Sequence, residues 1–204
     1  MDFVIKNVLL IKGYGTPHED RWQAHEARHA TEADLHVAYP EDIPDFVDGC
    51  TPTVAAFREF ITEVMERDGL EPDRTVVLAH SLGGNGWLRI LQEKADTRQC
   101  LTIFLGTPRD NLTGVEKVNN FFPTPNIDLT GEERRRILVV GSNNDKVIHE
   151  HASILGQHLA TAHLTIPGAG HFMPHVLHQN PTEMDLGKQW MQVRKLISKL
   201  HLQY

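Results

Sequence analysis

Apolar and polar positions along this chain sort into short continuous apolar runs separated by segments of helical period. "FVIKNVLLIK" (3–12) reads as a strand that stops at Gly13, followed by a helical stretch from about Trp22 to Ala33 and a short strand "LHVAY" (35–39). Thr51 and Pro52 predict a helix start, because Thr caps and Pro lacks only an amide that the first turn leaves unpaired anyway. Val54, Phe57, Ile61 and Val64 continue that helix at the right spacing, and Gly69 stops it. "RTVVLAH" (74–80) is the next strand, with a helix through Trp87, Leu88 and Leu91 behind it. "CLTIFLG" (100–106) and "RRILVVG" (135–141) predict two further buried strands, then a helix over roughly 149–161 and a last buried strand "HLTIPG" (163–168). Trp190, Val193, Ile197 and Leu200 mark a closing helix.

Strands that are apolar throughout, with helices between them, predict a mainly parallel sheet covered on both faces. The expected fold class is therefore α/β, a three-layer α/β/α sandwich. No repeat, low-complexity tract or linker interrupts it, so residues 1–204 are expected to form a single domain.

Composition narrows the function more than the fold. The formal charge of −7 argues against a general nucleic-acid binder, because phosphate contacts need a concentrated basic face. The one basic run, Arg134-Arg135-Arg136, stands before an apolar strand and reads as a solvated strand entrance. No stretch is long and apolar enough to span a bilayer, so no membrane partner is expected. The first strand is broken by Lys6 and Asn7, and no small-residue cleavage site follows it. Cys50 and Cys100 make no disulfide framework, which suits a reducing compartment, and the expected location is cytoplasmic.

In parallel sheets, ligands gather beyond the carboxyl ends of the strands, and several ends here carry useful groups. The first ends in Gly13-Tyr14-Gly15, and "VVLAHSLGG" (76–84) ends the third in His80-Ser81-Leu82-Gly83. After "ILVVG" come Ser142-Asn143-Asn144-Asp145, and after "LTIP" come Gly168-Ala169-Gly170-His171. A serine, an acid and a histidine thus follow three separate strands in the order used by α/β-hydrolases. Serine needs an adjacent base to become a nucleophile, and the imidazole that supplies it needs a carboxylate to fix its tautomer.

Each member has a competitor. Ser81 can be a simple turn or cap residue, although Ala79 and Gly83 give it the small flanks that a tight strand-to-helix turn requires. His171 competes with His175 and His178, and Asp145 competes with Asp110, while Asn143-Asn144-Asp145 also reads as a polar turn. The oxyanion donors expected are the backbone amides of Leu82 and Tyr14, against the plainer reading of Gly13 and Gly15 as a flexible turn.

Taken together, "AHSLGG", "GSNNDKVI" and "GAGHF" resemble the α/β-hydrolase superfamily. "LLIKGYGTPHEDRW" and the "NNFFPTP…GSNND" middle are similar to the compact YdeN-like serine hydrolases, whose human relative is the retinoblastoma-binding serine hydrolase. The resemblance runs from about Val8 to Leu200. It implies a minimal fold without a lid domain, with Ser81 as nucleophile, Asp145 as acid and His171 as base. The chain departs from the pattern at Lys12, where many relatives have histidine, and at Ala79, which replaces the first elbow glycine.

One rival motif stands in the same chain. "HEARH" (25–29) matches H-E-x-x-H, which on a helix sets His25 and His29 on one face as zinc ligands with Glu26 as base. A catalytic zinc needs a third protein ligand, which no downstream helix plainly offers, and thirteen histidines raise the rate of accidental matches. A third reading is a protein-binding module on a hydrolase scaffold. The expected function is serine hydrolysis of small esters, thioesters or amides through an acyl-enzyme, with no metal or organic cofactor and a small acyl substrate as partner. The long stretch from Thr107 to Glu132, with Phe121, Phe122, Pro123 and Pro125, is either an apolar wall over the site or a packed surface loop. Trp22 is either pocket lining or a helix anchor.

Overall fold

The computed structural model describes residues 5–15, 22–47, 49–110, 116–148 and 152–172. Its elements run β1 (Asn7–Ile11), α1 (Trp22–Glu32), β2 (His36–Ala38), α2 (Val54–Arg67), β3 (Thr75–His80), α3 (Leu82–Glu93), β4 (Leu101–Leu105), α4 (Gly131–Arg135), β5 (Ile137–Ser142), α5 (Ala152–Leu159) and β6 (Ala162–Ile166). The six strands form one parallel sheet in the order β2-β1-β3-β4-β5-β6. Among the described residues no separate lid domain interrupts the alternation of strand and helix. The expected closing helix, and residues 149–151, lie outside the described residues.

Period-two alternation divides the strand side chains between two cores. Leu9, Ile11, Val77, Ala79, Phe104, Ile137 and Val139 face one side, where α2, α3 and α5 cover them. Val8, Leu10, Val76, Leu78, Ile103, Leu105, Leu138 and Val140 face the other, where Ala30 of α1, Ala169 and Phe172 lie. Helices on both faces make this the three-layer α/β sandwich that the pattern predicts.

α2 begins two residues later than Thr51-Pro52 suggests. Thr53 is the cap, its hydroxyl accepting from the Ala56 amide at 3.2 Å, and Pro52 precedes the cap instead of opening the first turn. At its other end Gly69 adopts φ +60°, and the amides of Gly69 and Leu70 bond to the carbonyls of Glu66 and Met65. That is a Schellman closure, for which a residue without Cβ is best suited.

Two further expectations change, and one open alternative is resolved. β6 is not a buried strand; only Ile166 is buried, because the strand is paired to β5 alone among the described residues. Arg134 and Arg135 lie on α4, whose start is a reciprocal capping box between Thr130 and Glu133, rather than in a strand entrance. The stretch from Thr107 to Glu132, whose residues 111–115 are outside the description, is a packed strap. Phe121 is fully buried against Phe46 and Phe57, with centroids 5.8 and 6.0 Å away. Asn85 Nδ2 donates to the Pro108 carbonyl, Arg89 to that of Pro123 and Asn120 to that of Pro52, which ties the strap down at both ends.

α3 is buried along most of its length, and close approach dictates its small residues. A Cβ on Gly86 would stand 2.3 to 2.6 Å from three ring atoms of Phe57. That ring cannot yield, since Phe46 and Phe121 hold it from two sides. Gly86→Ala is therefore expected to cost about 2 kcal/mol through overpacking, even after alanine's gain in helix propensity. Thermal unfolding should show a Tm lower by roughly 4–8 °C.

Candidate active site

The strand order places the site before any side chain is considered. β1 sits between β2 and β3, so the chain leaves β1 to one side and β3 to the other, and the region beyond their carboxyl ends is where sheets of this kind bind ligands. Ile11 pairs with Ala79 and His80 with Leu105, which brings Gly13, Ser81 and Gly106 level with one another. At the far side Ser142 pairs with Ile166, so the segments starting at Asn143 and Pro167 leave the sheet together.

Ser81 joins β3 directly to α3. Its backbone has φ +51° and ψ −129°, a left-handed conformation that costs a non-glycine residue of order 1–3 kcal/mol. Two bonds hold it there. The Ser81 amide donates to the Leu105 carbonyl at 2.9 Å, and the Ser81 carbonyl accepts from the Gly84 amide at 2.9 Å. The turn demands small flanks, as expected: Ala79 is fully buried, and a Cβ on Gly83 would lie 2.2 Å from the Lys12 carbonyl oxygen.

The structure brings Ser81, His171 and Asp145 into one hydrogen-bonded chain. His171 Nε2 is 3.0 Å from Ser81 Oγ, and His171 Nδ1 is 2.8 Å from Asp145 Oδ2. The imidazole and carboxylate are only 3% and 4% exposed. Since the carboxylate only accepts, Nδ1 carries the proton and the Nε2 lone pair faces the serine hydroxyl. The other carboxylate oxygen, Oδ1, accepts from the amides of Val147 and Ile148 at 2.9 and 2.8 Å. Asp145 is thus both the polar turn residue and the partner of the histidine, one role for each oxygen.

The two asparagines before it tie the acid loop to the histidine loop. Asn143 Oδ1 accepts from the Gly168 amide at 2.9 Å, and Asn144 Oδ1 accepts from the Gly170 amide at 2.7 Å and from the Ser142 hydroxyl at 2.7 Å. Reading these asparagines as a plain turn missed this bridge. The register of β5 with β6 is the signal that would have found it.

Asp110, the alternative acid, is exposed on the surface beside Arg109 and does not join this chain. His175 and His178, the alternative bases, lie outside the described residues. The Tyr14 loop lies against the serine: a Cβ on Gly13 would be 3.0 Å from Ser81 Cβ. The Tyr14 hydroxyl donates to the Cys50 carbonyl at 2.8 Å, and its ring meets Phe46 edge-on at 6.1 Å. Leu82 is the first residue of α3, so its amide is one that the helix itself leaves unbonded. Lys12, the departure at the base of this loop, is buried and donates to the Glu41 carbonyl.

"HEARH" does fall on a helix, α1, which packs against β1 and β2 with Glu26 buried. The side chains of His25, His29 and Trp22 lie outside the described residues. Among the described residues, no three His, Cys, Asp or Glu side chains come together as a metal-binding group, and no helix is long and apolar enough to cross a membrane. Both cysteines are free thiols; burial pushes that of Cys100 well above the ordinary thiol range.

A family model described as serine hydrolase matches residues 8–186. The chain belongs to the serine hydrolase family. No curated protein matches its sequence. Among solved structures, it is similar to the ydeN gene product of B. subtilis, with a TM-score of 0.72 at 16% identity, covering 98% of this chain and 100% of that one. A predicted CIB-like hydrolase from Thermoplasma acidophilum aligns with a TM-score of 0.60 at 16% identity over 98% of this chain and 88% of its own. A structure from a study of carboxylesterases of the ammonia-oxidizing thaumarchaeon Nitrososphaera gargenis aligns at 0.65 and 9% identity, covering 97% and 90%. At these identities the structural likeness carries the α/β-hydrolase fold, and the family match carries the hydrolase class.

Proposed function

We propose that this serine hydrolase cleaves small carboxylic esters, and more slowly thioesters or amides, through an acyl-enzyme on Ser81. The observation that carries this reading is the chain Ser81 Oγ, His171 Nε2, His171 Nδ1, Asp145 Oδ2, held at a strained strand-to-helix turn. His171 takes the Ser81 proton as the oxygen attacks the ester carbonyl. The amides of Leu82 and Tyr14 receive the negative charge that develops on the carbonyl oxygen. Asp145 stabilises the imidazolium, which then protonates the departing alcohol. Water, activated by His171, releases the acid and restores Ser81. The carboxylesterase neighbour favours esters over other acyl compounds, and a scaffold without a separate lid among the described residues favours short acyl groups.

A panel of p-nitrophenyl esters of increasing chain length, with matched anilides, tests this. Acetate and butyrate esters should turn over, kcat/KM should fall for long chains, and anilides should be slower. No ester hydrolysis above the Ser81→Ala background would refute the reading.

The oxyanion assignment has its own test. A Cβ at position 83 would push on the Lys12 backbone, and with it the Tyr14 loop. Gly83→Ala should lower kcat by about 10²-fold, the scale of a 1 Å misplacement, with much less change in KM. Unchanged kcat in a folded Gly83→Ala protein would remove Tyr14 from the proposed mechanism.

A further inference from the structure

The elbow contains a second imidazole that the proposed mechanism leaves unused. His80 immediately precedes Ser81, is 1% exposed, and ends β3. Its Nε2 is 2.9 Å from the carbonyl oxygen of His171, and the two rings stand 4.9 Å apart at 46°. A carbonyl oxygen only accepts, so His80 Nε2 must carry a proton and donate it.

His171 needs such a support. It follows a turn in which Gly168 and Gly170 have φ +72° and +57° and are held at their amides by Asn143 and Asn144. Its imidazole is held by Asp145 on one nitrogen, and its preceding amide side is held by the bond from Gly170 to Asn144. Neither bond acts on the His171 carbonyl, whose position bears on the distance from Nε2 to Ser81 Oγ. The bond from His80 does act on it, and its donor is covalently adjacent to Ser81.

We propose that His80 is a positioning residue that sets the reach of His171 to Ser81 by holding the His171 carbonyl. This rests on the roles proposed above for Ser81 and His171. Base and nucleophile are then aligned through one dipeptide, His80-Ser81, rather than through the longer path across β4, β5 and β6. The requirement is for a donor at the Nε2 position, not for a titrating group.

Two amides of different reach test this. Glutamine carries an N–H donor near the place of Nε2, whereas asparagine places its donor near that of Nδ1. His80→Gln should keep kcat within about fivefold of wild type. His80→Asn should lose about 30- to 100-fold in kcat, with KM changed less than twofold, as expected for misalignment of reacting groups. Equal kcat in the two folded variants, or a loss carried by KM, would overturn the proposal. The wild-type protein gives an independent reading through ¹⁵N-detected imidazole NMR, with the His80 signals assigned by through-bond correlation from its own backbone. Nε2 should be protonated, and an Nδ1–H tautomer with bare Nε2 would overturn the proposal even if neither variant folded. Labelling of wild-type Ser81 by a fluorophosphonate separates the outcomes. With labelling intact, a negative result removes His80 alone; without it, the proposed function itself fails.

Discussion

Ser81→Ala is expected to lower kcat for a short-chain ester by about 10⁶-fold while leaving KM within about twofold, as read by steady-state kinetics. The size follows from what alanine removes. Without Oγ there is no covalent route, and His171 has only water to activate; the proposed oxyanion amides of Leu82 and Tyr14 should still support a slow direct hydrolysis. Stability should move differently from activity. The hydroxyl contributes one hydrogen bond, worth about 1 kcal/mol, but the backbone at φ +51° is strained whichever L-residue occupies it. Ser81→Gly relieves that strain and should be inactive yet at least as stable as wild type in thermal unfolding. A Ser81→Gly protein that is clearly less stable would mean that the turn is not a stored cost of the site.

Asp145→Asn should lower kcat by about 10⁴-fold with a small loss of stability. The two carboxylate oxygens explain the separation. Oδ1 can remain a carbonyl that accepts from Val147 and Ile148, so the loop keeps its form. The new amide group then faces His171 Nδ1 in place of Oδ2 and donates where the carboxylate accepted. The imidazole must turn its lone pair toward position 145, which places an N–H against Ser81 Oγ and leaves no base there. Asp145→Ala should lose a similar factor in rate and destabilise the protein further, because the amides of Val147 and Ile148 lose their acceptor as well. Kinetics and thermal unfolding on both variants check this. Comparable activity of Asp145→Asn and wild type would exclude Asp145 as the histidine's partner in catalysis.

How much of this was legible in the sequence depends on the range of the interaction that decides each feature. β1, β3, β4 and β5 stand out because strands buried on both faces carry nearly continuous apolar runs, with polar residues few and mostly at their ends. The edge strand β6 carries the same kind of residues, but its exposure depends on having one neighbour, which no local pattern encodes. Thr51 and Thr53 are equally good caps on paper, and only the path of the chain into α2 decides between them. The strap at 107–132 was ambiguous for the same reason. Its phenylalanines are apolar whether they line a site or fill the core, and Phe121 fills the core because Phe46 and Phe57 leave room for it.

The site divides in the same way. That Ser81, Asp145 and His171 come together is readable because the order serine, acid, histidine falls at successive strand ends. His80 has no role legible in the elbow motif, since its partner is a backbone carbonyl 91 positions away. Asn143 and Asn144 read locally as turn formers, and their bonds to Gly168 and Gly170 appear only once β5 and β6 are in register.

The central claim is that Ser81 is the nucleophile, and active-site labelling tests it most directly. The wild-type chain should react with a fluorophosphonate to give a single phosphonyl adduct, located by peptide mass spectrometry on the segment that contains Ser81. Ser81→Ala should give none. An equal yield of adduct on Ser81→Ala, or an adduct on another residue of the wild-type chain, would contradict the account.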